Sequence, residues 1–268
     1  MTQILHDPPR ESYILPGFTT GYRALDHALG GIGEDELVLL ASRPGNYGRI
    51  LLENLAVGLS RQHKVLYLST GRKAFAVASE LRSILLPAPS GESPAEDTLE
   101  DLNRLAQNLF IDDAAIFLGY LDHVIGKFHA EHGTDAIVLI DHLNGLYLSK
   151  EIRTGRRERE EYGIADNLKR IALKYPIPVI VHARIRQAMA SEHGNPPCIG
   201  DLMHLTGLND RFDKIVVVHR PGYYHAASDE TNPSDANNLY LYPLRGANRD
   251  TVMLRISDDN RFLLTEKE

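Results

Sequence analysis

The stretch that most constrains this chain is Glu36 to Ala56, ELVLLASRPGNYGRILLENLA. Leu37 to Ala41 is an apolar run of strand length, Arg43 to Gly48 is a Pro/Gly-rich turn, and Ile50 to Leu59 has apolar residues at helical spacing. A buried strand feeding a glycine-bearing turn and then a helix is the layout of a phosphate-binding loop. In the working motif GxxxxGK[ST], glycines let backbone N–H groups approach the phosphates, a lysine neutralises them and a hydroxyl holds Mg²⁺. Here neither a lysine nor a serine or threonine stands at the end of the turn, so the form of the loop is present without its chemistry.

The rest of the chain supplies a sheet for that loop to sit on. With 268 residues, 43% hydrophobic and 24% charged, it can bury a large core, and a single domain is expected. Strand-like runs at Lys64–Ser69, Asn108–Asp112, Ala136–Asp141 and Pro178–His182 alternate with helical patterns at Ala74–Leu86, Leu118–His132 and Arg157–Tyr175. This alternation predicts right-handed crossovers and a mostly parallel α/β sheet flanked by helices. Thr20 is a candidate cap for a short helix that carries Leu25 and Leu29 and ends at Gly30–Gly31. From Lys214 onward KIVVVHR, NLYLYPLR, TVMLRIS and RFLLT read as strands with no helix between them, an antiparallel extension at one sheet edge. Residues 1–16, with three prolines, read as an irregular arm, and LLPAPSGESPAEDT as an exposed loop.

Several function classes are disfavoured. No apolar run approaches the roughly 20 residues that span a bilayer, and the N-terminus lacks the form of a signal peptide, which points to a cytoplasmic protein with no membrane partner. The one cysteine, Cys198, excludes an internal disulfide framework and a cysteine-based zinc site. His142, His204, His219 and His225 have no recognisable metal spacing, and no metal is assigned. The net charge of -7 argues against a generally basic nucleic-acid surface, so DNA binding is expected to be weak at most, although local clusters such as Arg153 to Arg159 could touch phosphate.

In a parallel sheet, ligands bind beyond the C-terminal strand ends. Asp141 ends its strand where an acid commonly holds Mg²⁺ or its water shell, although a turn acid would look the same. His182 ends the next strand, followed by Arg184 and Arg186, either of which could reach a phosphate.

The succession GFTTGYRALDHALGGI, LVLLASRPG, KVLYLS, NLFIDD, EHGTDAIVLIDHLNGL, LKRIALKYPIPVIV, GDLMHLTGLNDRFDKIVVVHRPGYY and VMLRISDDNRF resembles the ATPase domain of the DnaB family of replicative helicases, from about Pro16 to Phe262. The resemblance implies a RecA-like P-loop NTPase fold for residues 17–268. It also implies six-membered rings, ATP bound between subunits and unwinding of duplex DNA. The family normally carries an N-terminal primase-interacting domain as well, for which this sequence is too short.

Carried over by position, much of the family's site is altered. Against a loop like A-R-P-G-M-G-K-T, the ungapped match from Ser42 puts Arg43, Pro44, Gly45 and Asn46 on the turn, Tyr47 at the second glycine, Gly48 at the lysine and Arg49 at the hydroxyl residue; a one-residue insertion would instead put Arg49 at the lysine and Ile50 at the hydroxyl. The ungapped register also aligns Asn54 and Ala56 with the family's following helix. The glutamate after the second strand falls on Gly71, and the glutamine that senses the γ-phosphate falls on Arg184. The stretch facing DNA becomes Asp201, Leu202, Met203, His204, Leu205 and Thr206. In the late K-Q-R trio that reaches a neighbouring subunit, Pro243 and Leu244 replace the first two, and Arg245 keeps the finger position. Two readings follow. One is a helicase-like pseudo-enzyme, a scaffold that associates with itself or with a replicative helicase. The other is a divergent ATPase that binds ATP and Mg²⁺ through Arg49, Arg184 and Asp141.

Overall fold

In the computed structural model the described residues are 17–86, 96–114, 116–148, 157–185, 195–205, 211–225, 237–256 and 265–266. The expected arm 1–16, the Pro/Ser-rich stretch 87–95 and the basic run 153–156 lie outside them, as do the side chains of 157–161 and 203–205.

A nine-stranded sheet forms the centre. Its strands are β1 (Leu37–Ser42), β2 (Lys64–Ser69), β3 (Leu109–Asp112), β4 (Ala136–Asp141), β5 (Val179–Arg184), β6 (Lys214–His219), β7 (Asn238–Arg245), β8 (Val252–Arg255) and β9 (Thr265–Glu266). They lie in the order β3-β2-β4-β5-β1-β6-β7-β8-β9. The first six strands of that order are mutually parallel, and β7, β8 and β9 extend the β6 edge antiparallel. β1 is buried along its whole length, as its unbroken apolar run requires of a strand covered on both faces.

Alternate residues of β1 serve two cores. Leu37, Leu39 and Ala41 pack with Leu121 and Ile125 of α5 (Leu118–His132) and with Ile164, Leu168 and Ile171 of α6 (Arg157–Lys174). Val38 and Leu40 face the other way. They pack with Leu25 of α1 (Arg23–Leu29), Leu51 and Leu55 of α2 (Gly48–Ser60), and Val77 of α3 (Ala74–Leu85). The period of two along a strand thus decides which side chains lie beneath α2, the helix that follows the loop.

Three expectations are corrected. A helix α4 (Glu96–Asn108) follows the Pro/Ser-rich stretch and went unread, because its polar composition hides a narrow stripe of which Leu105 is buried. Its first turn carries Glu96 and Asp97, the acids that favour a helix start. A short helix α7 (Gly222–His225) lies between β6 and β7, where none was expected. Thr20 does not cap α1: the N-cap is Tyr22, and Thr20 instead donates both its N–H and its hydroxyl to Asp26 Oδ1. Gly30 does end the helix in the left-handed conformation, φ 72°.

Candidate functional site: a loop held by its own side chains

β1 delivers the chain to the C-terminal edge of the sheet at Ser42, and α2 starts six residues later at Gly48. The cavity there, about 350 Å³, is lined by Ser42, Arg43, Pro44, Gly45, Tyr47, Gly48, Arg49, Ile50, His182 and Arg184. The loop residues singled out in the sequence therefore meet Arg184 in one place, with Asn46 and Asp141 buried behind them.

Three side chains of the turn, those of Arg43, Asn46 and Tyr47, have partners within the chain. Arg43 is buried; its Nη1 donates to the Asn195 carbonyl at 2.8 Å and its Nη2 lies 3.5 Å from Asp201 Oδ2. Asn46 is the rivet of the turn: its Nδ2 donates to Tyr224 Oη at 2.7 Å and its Oδ1 accepts from the Arg220 N–H at 2.8 Å. Tyr47 has φ 62°, a left-handed conformation that glycine adopts freely and other residues adopt at a cost of about 1–2 kcal/mol. The Arg220 guanidinium sits 4.2 Å from the centre of its ring. Gly45, φ 81°, is roofed by Tyr223, whose ring a Cβ at position 45 would meet at 2.4 Å. Arg220 to Tyr224, the start of the β6–β7 connection, thus clamps the turn from outside.

Gly48 is the tightest point. A Cβ there would lie 2.3 Å from Ser42 Oγ, 2.7 Å from Ser42 Cβ and 2.7 Å from His182 Nε2. Ser42 Oγ and His182 Nε2 are themselves 2.9 Å apart, and His182 Nδ1 is 3.5 Å from Asp141 Oδ1. Pairing of β4 with β5 sets Asp141 beside His182, and pairing of β5 with β1 sets Ser42 beside Arg184. Burial raises the Asp141 pKa, but the neighbouring His182, then His142 and Arg49, more than offset it, and Asp141 lies below its ordinary value. Arg184 keeps an exposed side chain on the cavity wall, its N–H donating to Asn144 Oδ1.

Arg49 does not pair with Asp141 as its nearest acid. Its Nη1 bonds Glu53 Oε1 and Glu80 Oε2, each at 2.7 Å. Arg72 bridges the same two acids, 2.7 Å to Glu53 and 2.6 Å to Glu80. The four residues join α2, the turn after β2 and α3 into one lattice. Glu53 is at its centre with only 3% of its side chain exposed, and burial pushes its pKa up to about 7 against the pull of Arg49 and Arg72. Gly71, by contrast, faces open space: a Cβ there would approach nothing nearer than His142 Cε1 at 3.9 Å.

Farther away, Asp201 accepts from the Cys198 N–H at 2.7 Å, and Leu202 is fully buried. Arg245 Nη1 donates to the Phe212 carbonyl at 2.8 Å. It pairs in register with Ile215 near the start of β6, so it stands toward the sheet edge opposite its own loop. Sequence reasoning passed over Ser42, Glu53, Arg72, Glu80 and the Arg220–Tyr224 clamp. The spacing of Arg49 and Glu53, i and i+4 with the acid on the buried side of a helix, was the one readable sign of the lattice.

This geometry can be compared with known proteins. Residues 17–262 match the family described as DnaB-like helicase C terminal domain. The chain belongs to that family. Among curated relatives, the probable replicative DNA helicase of Trieres chinensis is 24% identical over 255 residues, 90% of this chain and 56% of that protein. The replicative DNA helicase DnaB of Helicobacter pylori is 22% identical over 246 residues, 88% of this chain and 50% of that protein. The chain therefore spans about half the length of the curated relatives it matches. Among solved structures, an ATPase domain superposes with a TM-score of 0.78 at 19% identity, covering 95% of this chain and 92% of that one. A DnaB-like replicative helicase, described together with its interactions with primase, superposes at 0.75 and 20% identity, covering 91% and 62%. The RadB recombinase gives 0.54 at 19% identity, covering 90% and 96%. The RecA-like fold expected from the sequence is shown by these matches. Among the described residues no helix is long and apolar enough to cross a membrane.

Proposed function

We propose that this DnaB-family chain is a replication-associated scaffold whose nucleotide site no longer hydrolyses ATP. The observation that carries the reading is the packing at Gly48. In the ungapped register this is the lysine position, and Ser42 and His182 fill the space a side chain would need. The nearest cation, Arg49, is engaged by Glu53 and Glu80, and its broad guanidinium replaces a hydroxyl rather than a compact ammonium. With Gly71 in place of the water-orienting glutamate, three functions are missing, each typically worth about 10² to 10³ in rate or more and together not simply additive. The partner of such a scaffold is a second copy of the chain or a replicative helicase of the same cell, held through the surfaces that ring-forming relatives use.

The residues present do not fit Mg²⁺–ATP well. Asp141, the acid that would face the metal, is buried behind His182, and no hydroxyl follows Gly48. One observation favours the divergent ATPase: the cavity persists, with Arg184 exposed on its wall. The two readings separate in one assay. A scaffold shows no magnesium-dependent rise in thermal midpoint with ATP, whereas a nucleotide site at 100-fold saturation gains about 2.7 kcal/mol. Magnesium-dependent turnover by the purified wild-type chain, lost in Arg49→Ala, would overturn the scaffold reading.

A further inference from the structure

Ser42, His182 and Asp141 stand on the neighbouring strands β1, β5 and β4, and the strand alternation turns all three toward α2. They are 3%, 2% and 2% exposed. Ser42 Oγ lies 2.9 Å from His182 Nε2, and His182 Nδ1 lies 3.5 Å from Asp141 Oδ1. Neither His182 Nδ1 nor Asp141 Oδ1 has a hydrogen-bond partner among the described residues; the carboxylate oxygen faces two imidazoles, His182 Nδ1 at 3.5 Å and His142 Nδ1 at 3.9 Å. Hydroxyl, imidazole and carboxylate in this order are a nucleophile, its base and the group that orients the base. Gly48, Arg49 and Ile50, the first turn of α2, line the same cavity as Ser42 and His182. N–H groups of a first helical turn have no partner within the helix and stabilise a developing oxyanion. Gly48 is what allows the assembly, since any Cβ there would displace Ser42 or His182.

We propose that Ser42 is an activated nucleophile that takes acyl groups from compact, anionic esters, with His182 as general base and Asp141 as the residue that positions it. As the Ser42 Oγ–carbon bond forms, the hydroxyl proton passes to His182 Nε2. The tetrahedral intermediate then collapses, the carbon–oxygen bond to the leaving alcohol breaks, and the leaving oxygen keeps the electron pair and receives the proton from His182. Water, deprotonated by His182, attacks the acyl carbon in turn. The Ser42 Oγ–carbon bond breaks, the proton returns to Oγ, and the net reaction is ester hydrolysis. The cavity of about 350 Å³ limits the donor to a small molecule, and exposed Arg184 on its wall selects an anionic one. The assignment stands whether or not the chain binds ATP.

The test is made on the wild-type chain, native and urea-unfolded, with a fluorophosphonate probe and peptide mapping of the adduct. The native protein is expected to carry the label on Ser42, the unfolded protein to lose it, and His182→Gln, checked for folding by its melting curve, to label at least tenfold more slowly. With mono-4-nitrophenyl succinate, a compact anionic ester, Asp141→Asn is expected to lower kcat at least tenfold and leave KM within twofold. No adduct at Ser42 in the native wild type, or equal labelling of native and unfolded chains, overturns the proposal whatever the variants do. Label on another serine, or an equal rate in folded His182→Gln, overturns it as well.

Discussion

Restoring the motif at position 48 tests the packing argument most directly. Gly48→Lys places a Cβ 2.3 Å from Ser42 Oγ and 2.7 Å from both Ser42 Cβ and His182 Nε2. Ser42 Oγ can rotate away, but its Cβ belongs to a strand paired on both sides and cannot. Overpacking of this kind costs about 1–3 kcal/mol. Replacing a glycine inside a helix returns up to about 1 kcal/mol, and less at a first helical position. The net loss of about 1–2 kcal/mol lowers the melting temperature of a chain this size by about 2–8 °C. Adding Arg49→Thr restores the hydroxyl position but opens the Glu53–Arg49–Glu80 contacts, so the double variant melts lower still. Neither variant gains magnesium-dependent ATP turnover, because Gly71 and Arg184 remain. Differential scanning calorimetry and a coupled phosphate-release assay read the two halves, and Ser42→Gly added to Gly48→Lys should recover part of the melting temperature, the contact with His182 remaining. A Gly48→Lys protein as stable as wild type, or one that hydrolyses ATP, would refute the reasoning.

Acidity separates the two buried acids. Glu53, raised to about 7, binds more protons folded than unfolded between its ordinary value near 4.5 and about 7, so its contribution to stability falls as pH rises through that window. Asp141, held below its ordinary 3.8, contributes stability above that value that disappears as pH drops through its folded pKa. Melting curves from pH 3 to 8 should therefore lose the decline between about 4.5 and 7 in Glu53→Gln and the acid-side loss in Asp141→Asn; unchanged profiles would contradict the assignment. Single-stranded DNA binding, followed by fluorescence anisotropy, should be weak and abolished by moderate salt. Tight binding at physiological salt would point to the basic run at Arg153 to Arg159. Arg245→Ala removes the bond to the Phe212 carbonyl, about 1 kcal/mol, and light scattering of the variant, alone and mixed with the replicative helicase, checks the finger: unchanged assembly excludes a subunit contact through Arg245.

The fold was legible because the parallel strands are short and several of them, β1, β2 and β3 among them, are followed by a helix of clear period. Lys64–Ser69 and Ala136–Asp141 match their expected limits, as does the helix Leu118–His132. α4 was passed over for its polar composition and for the Pro/Ser-rich stretch before it, although Leu99, Leu102 and Leu105 recur at helical spacing. The site was legible only in outline. The sequence brought Arg43 to Arg49, Asp141 and Arg184 to one sheet edge, because strand ends and a turn do so by topology alone. It could not foretell that Arg49 would turn to Glu53 and Glu80, because those partners come from α2's own buried side and from α3, and their geometry depends on how the two helices pack. Nor could it show Ser42 meeting His182, a contact fixed by the register of β1 on β5 across 140 residues.

The residues of the turn also bear on how a loop of this shape is held. A phosphate-binding turn presents several N–H groups to one point and needs an anion or internal ties to hold it. Here the ties come from three directions. Asn46 is fixed to Tyr224 and the Arg220 N–H, Tyr47 lies beneath the Arg220 guanidinium, and Gly48 rests on the Ser42–His182 pair. Each tie uses a side chain at or beside a position where the family's motif has something else: Tyr47 for a glycine, Gly48 for the lysine. The substitutions are therefore coupled. Tyr47 costs strain that the Arg220 stack offsets, and the loss of the lysine side chain opens the space in which Ser42 and His182 meet. On the scaffold reading proposed above, reverting one position alone breaks a tie without restoring a phosphate contact, and a gain of nucleotide binding is expected only when Tyr47, Gly48 and the residues at 42 and 182 change together.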